Sequence, residues 1–116
     1  MQIQNYVDHD VFSPALLADA LRTTQSEVAD TLGLTRDAVT RLDRMRGPKT
    51  QTRLREMVEV LNRVEPQLGS LLAAYAWFRS EPLPGFGGMT AQHLVREGKV
   101  SHVHAALDRM SSGGYA

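Results

Sequence analysis

Cysteine is absent from this 116-residue chain, which excludes a disulfide framework and thiolate metal sites and fits a reducing cytoplasm. No apolar run approaches membrane-spanning length, and the opening MQIQNYVDHD lacks a basic start followed by an apolar stretch. A cytoplasmic chain without a secretory signal is therefore expected. Alternating β-branched residues, the mark of strands, are missing throughout, as are internal repeats and any low-complexity segment beyond the last six residues. Without a strand there is nothing for a phosphate-binding glycine loop to follow, so Gly85-Phe86-Gly87-Gly88 reads as a turn allowing close backbone approach. An excess of charge of either sign is missing too, because 13 bases balance 13 acids.

That balance hides a segregation. Residues 36–55 hold seven bases (Arg36, Arg41, Arg44, Arg46, Lys49, Arg53, Arg55) against two acids (Asp37, Asp43), a net +5 that leaves −5 on the rest of the chain. A basic cluster in an otherwise acidic protein is the footprint of a phosphate-contacting face or, equally, of a solvated helix surface.

What is present is helical periodicity. Residues 1–12 show no clear period and are expected to form a loosely attached arm. Ser13-Pro14 supplies an N-cap and a proline at the first helical position, and Leu16, Leu17, Ala20 and Leu21 form a stripe, predicting a helix over 14–22. Thr24-Gln25-Ser26-Glu27 has the pattern of a capping box and opens a helix over 25–32 that stops at Gly33. Thr35 caps a helix over 36–45, with Val39 and Leu42 inward, ended by Gly47-Pro48. A helix over 51–64 turns Leu54, Met57, Val58 and Leu61 to one face, and another starting at Pro66 carries Leu68, Leu71, Leu72, Tyr75 and Phe78. Past a loop at 81–88, Thr90 caps a short helix ended by Gly98, and Val100, Val103, Leu107 and Met110 mark a last one. The expected fold is all-α: a small helix-turn-helix bundle over 13–64 with a helical extension over 65–116.

The stretch TQSEVADTLGLTRDAVTRLDR has the spacing of a helix-turn-helix. Ala29 is small where two helices pack closely, Gly33 sits where the turn needs a positive backbone angle, and Val39 and Leu42 are placed to face inward. The outward residues Thr35, Arg36, Asp37, Thr40, Arg41 and Arg44 are polar and suit base-edge and phosphate contact. Arg46, Lys49 and Arg53 would then meet phosphates beside the groove. Asp37 would be repelled there unless it accepts from a cytosine amine or pairs with Arg41.

Catalysis and metal binding find no support. His102 and His104 are two apart on a helix and point apart, whereas chelation needs three or four, and nothing in the spacing of Ser101, His102 and Asp108 favours a triad over chance. The chain is expected to be no enzyme and to hold no cofactor or metal.

The last forty residues have too few apolar groups to close a core alone, yet place aromatics around glycines, as an interaction module does. Phe78 follows the stripe of Leu71 and Tyr75 into the core, while Trp77 sits off it, free to anchor the loop or a partner. Trp77, Pro82-Leu83-Pro84, Gly87-Gly88, the run Thr90 to Leu94, Gly98, Val103, Leu107 and Gly114 together resemble the toxin-binding domain of the Xre/MbcA/ParS antitoxins, over about residues 66–116. The resemblance implies the antitoxin of a type II toxin–antitoxin pair. Its partners would be operator DNA, through which it represses its own operon, and an NAD-consuming, ADP-ribosyltransferase-like toxin of the RES or ParT kind. Toxin contact would fall on Trp77, Phe86, Gly87, Gly88, Met89, Leu94 and His104, with the tail residues Ser112, Gly114, Tyr115 and Ala116 entering the toxin's NAD cleft. The alternatives are a stand-alone regulator whose C-terminal helices only dimerise it, and an adaptor whose helix-turn-helix no longer binds DNA.

Overall fold

A computed structural model of the protein describes residues 3–8 and 10–112. Eight helices dominate it: α1 (Pro14–Ala20), α2 (Gln25–Leu32), α3 (Arg36–Thr40), α4 (Leu42–Met45), α5 (Pro48–Leu68), α6 (Leu71–Ser80), α7 (Ala91–Arg96) and α8 (Val100–Ser112). Short polar side chains start five of them by accepting from the amide three residues on. The pairs are Ser13 with Leu16 (3.2 Å), Thr24 with Glu27 (3.1 Å), Thr35 with Ala38 (3.2 Å), Ser70 with Ala73 (3.0 Å) and Thr90 with His93 (3.1 Å). The capping box at Thr24 is completed differently from expectation, since the Glu27 carboxylate accepts from the Thr23 hydroxyl.

The 21-residue α5 is the axis of the molecule. One face of it, including Leu54, Met57, Val58, Leu61 and Val64, is buried, and α1, α2 and α3 contribute Leu17, Val28, Leu32 and Val39 to the same core. Tyr75 and Phe78 of α6, Leu94 and Val95 of α7, and Val103 and Leu107 of α8 extend that cluster without a break. The extension is thus built onto the bundle's own core, which is how a segment with so few apolar residues stays folded.

Three regions differ from the sequence reading. The arm is anchored: a 3-10 turn (Ile3–Tyr6) leads into an antiparallel hairpin of β1 (Val7–Asp8) and β2 (Val11–Phe12). Gln51 fixes it, accepting from the Phe12 amide (2.7 Å) and donating to the Phe12 carbonyl (3.0 Å). The helix expected over 36–45 breaks at Arg41, whose backbone is extended at φ −88°, ψ 126°. Val39 and Thr40 are both β-branched, and the Thr40 hydroxyl donates to the Arg36 carbonyl (3.0 Å), which weakens the ladder there. Proline does not separate α5 from α6, because Pro66 lies in the last turn of α5, where it removes one ladder bond while Val64 stays buried. The stop comes at Gly69, left-handed at φ 91°.

Candidate nucleic-acid and partner interfaces

A tight turn joins α2 to α3. Gly33 is left-handed (φ 66°, ψ 33°), its amide bonds the Asp30 carbonyl (3.2 Å), and the Leu34 amide returns to Ala29 (2.8 Å), which is buried. Two arginines far away in sequence donate to the last three carbonyls of α2. Arg53 Nη1 donates to the Leu32 carbonyl (2.7 Å), while Arg96 donates through Nε to Thr31 (3.1 Å) and through Nη2 to Asp30. Arg53, expected beside phosphates, is half-buried and commits Nη1 to capping α2. Neither role has a local signal, since each depends on tertiary placement.

Arg36, Asp37, Thr40, Arg41, Arg44, Arg46 and Lys49 are all exposed, as the sequence suggested, and Thr35 spends its hydroxyl on the α3 cap. The carboxylate beside Arg41 is that of Asp43 (3.7 Å), not Asp37. Leu42 contradicts expectation outright. The break at Arg41 ends the helical phase that would have carried it to the face of Val39, and it is 62% exposed.

In the extension, Pro82 and Thr90 pair as a bridge closing the loop between α6 and α7. Inside it, the Phe86 amide bonds the Leu83 carbonyl (3.3 Å) and the Met89 amide bonds the Phe86 carbonyl (3.1 Å). Gly87 and Gly88 have φ of 62° and 88°, the left-handed region that glycine enters without strain. Phe86 packs half-buried against the core, its ring 5.7 Å from that of His102 and 5.8 Å from the Arg109 guanidinium. Met89 is exposed beside it, and Trp77 is half-buried against the core.

Of the expected contact residues, Leu94 is buried and His104 is engaged within the chain. Leu94 is 1% exposed and belongs to the core, because α7 turns its apolar side toward α5 and α6. His104 is half-buried, with Nδ1 3.1 Å from Arg63 Nη1, and Arg63 also donates to the His104 carbonyl (3.3 Å) and pairs with Asp108. Of the tail, Ser112 is the last residue of α8, while Gly114, Tyr115 and Ala116 lie outside the described residues.

A cleft of about 190 Å³ lies between α5 and α8, lined by Arg63, Val64, Gln67, Leu107, Met110 and Ser111, and a shallow hollow of about 290 Å³ lies by Arg79 and Arg96. Both are small beside the volume that typically encloses a small-molecule ligand. No group of three or more metal-ligating side chains occurs among the described residues, and no helix there is long and apolar enough to cross a membrane. Comparison with family models, with curated proteins and with solved structures gave no match for the chain.

Proposed function

We propose that the protein is a DNA-binding antitoxin. Its basic helix-turn-helix corner binds operator DNA, and the unit from α6 to α8 holds an NAD-consuming, ADP-ribosyltransferase-like toxin with its cleft occluded. The observation that carries the DNA half is the left-handed turn at Gly33 followed by exposed Arg36, Arg41, Arg44, Arg46 and Lys49. The toxin half rests on the resemblance of residues 66–116 to the Xre/MbcA/ParS class. The glycine-turned loop presenting Phe86 and Met89 beside α8 supports it.

Exposed Leu68, Leu72 and Met110 favour a second reading, in which the C-terminal helices only pair two copies of a regulator. One experiment separates the two. The protein is co-expressed with the product of the adjacent gene, and NAD consumption, complex mass and upstream-DNA binding are measured. The antitoxin reading expects a complex of both chains that consumes no NAD, and replacement of Arg41 and Arg44 by Ala should weaken DNA binding while sparing toxin inhibition. A homodimer with no effect on the neighbouring product would overturn it.

A further inference from the structure

Leu42 is the most exposed large hydrophobic side chain among the described residues. It is also the one member of that group within the basic segment, the others being Leu16, Leu68, Leu72, Met89 and Met110. Its exposure follows from the break at Arg41: continued helix would place residue 42 three positions after buried Val39, on the same face. Instead α4 starts afresh and holds an apolar side chain in water among exposed Arg36, Arg41, Arg44, Arg46 and Lys49.

The charge around Leu42 decides what can cover it. Between residues 36 and 49, five cations stand against Asp37 and Asp43, a net +3. A second copy of the chain docked symmetrically would bring the same cations face to face. A lipid surface requires a broad apolar face, and α4 is four residues long with one exposed leucine. A polyanion with isolated apolar points fits both properties, and duplex DNA has them: phosphates flank the major groove, and the C5 methyl of thymine is the apolar group on its floor.

We infer that Leu42 is a specificity-determining residue that packs against a thymine methyl group in the major groove, with Arg41 and Arg44 on the flanking phosphates. This rests on the reading of the basic corner as a DNA-binding face. It adds a preference for thymine that charge alone cannot create.

The operator sequence is not required for the test. Duplexes enriched by the intact protein from a random pool are resynthesised with thymine or with uracil throughout, which removes the methyl and leaves every hydrogen-bonding edge. Affinity is measured for the wild type, for Leu42→Ala and for Leu16→Ala, an exposed leucine on α1 away from the basic segment. The wild type and Leu16→Ala should lose about fourfold per contacted methyl on uracil substitution. Leu42→Ala should bind the thymine duplex more weakly by a similar factor and no longer distinguish the two.

Equal wild-type affinity for both duplexes, or a thymine preference that survives Leu42→Ala, overturns the role of Leu42 and leaves DNA binding standing. Enrichment of no duplex overturns both. Leu42-dependent binding to vesicles of anionic lipid without any duplex preference would assign the patch to a membrane and overturn it as well.

Discussion

Glu56 carries the one buried side-chain oxygen without a hydrogen-bond partner among the described residues, its Oε1. Burial pushes this carboxyl above the ordinary value of 4.5, Arg55 and Arg53 oppose the shift, Glu59 adds to it and His104 opposes it. A carboxyl whose folded pKa is raised favours the folded state while it is protonated, and that contribution is lost as pH rises through the folded pKa. Glu56→Gln should therefore raise the thermal midpoint at pH 7. The gain should shrink on acidification and vanish below the ordinary glutamate range. Thermal unfolding of both proteins at neutral and acid pH checks this, and an equal midpoint at pH 7 would mean that the ionised carboxylate is held without penalty.

At the scale of the element, the loop between α6 and α7 offers the cleanest test of shape against stability. A Cβ built at Gly88 meets no atom within 4 Å, so substitution there strains the backbone at φ 88° without causing a collision. Gly88→Val should cost about 1–2 kcal/mol and lower the thermal midpoint by several degrees. Partner affinity should fall further, because Phe86 and the start of α7 are re-aimed. Titration of the variant with the proposed toxin partner, alongside its melting curve, compares the two losses; undiminished affinity would make the loop incidental to binding.

Elements with local causes were legible in the sequence. The caps at Ser13, Thr24, Thr35 and Thr90, the left-handed Gly33, and the buried stripe Leu54, Met57, Val58 and Leu61 each depend on neighbours within a turn or two. Most of the misreadings share one origin, which is contact between remote residues. Gln51 captures an arm with no periodicity of its own, buried Val64 carries α5 through Pro66, and α7 turns Leu94 inward where a surface position was expected. Leu42 fails for a different reason: spacing of three predicts a shared face only while the helix is continuous, and Arg41 interrupts it. In the candidate site, the exposed cations were readable from composition. The structural duties of Arg53 and Arg96 were not.

On the scale of the whole molecule, Arg96 joins the two halves. Its guanidinium donates to the Thr31 and Asp30 carbonyls in the last turn of α2, and its stem crosses the turn, with Cγ 3.2 Å from where a Cβ on Gly33 would lie. Arg96→Ala removes those hydrogen bonds from α7 to α2 and uncovers the turn, for an expected loss of about 1–3 kcal/mol. Arg96→Lys should recover little of it, since an ammonium lacks the planar fork that reaches two carbonyls together. Thermal unfolding of both variants gives the answer, with a lysine variant as stable as the wild type counting against the bidentate role.

The same clamp bears on how the protein can be taken apart. A fragment cut near residue 64 would keep the Gly33 turn but lose the guanidinium that seals it, along with the α6 and α7 surfaces that complete the shared core. The corner that carries the arginines is therefore not a transplantable cassette. Grafted onto another scaffold, or expressed alone, it would arrive without the piece of the opposite half that covers its turn.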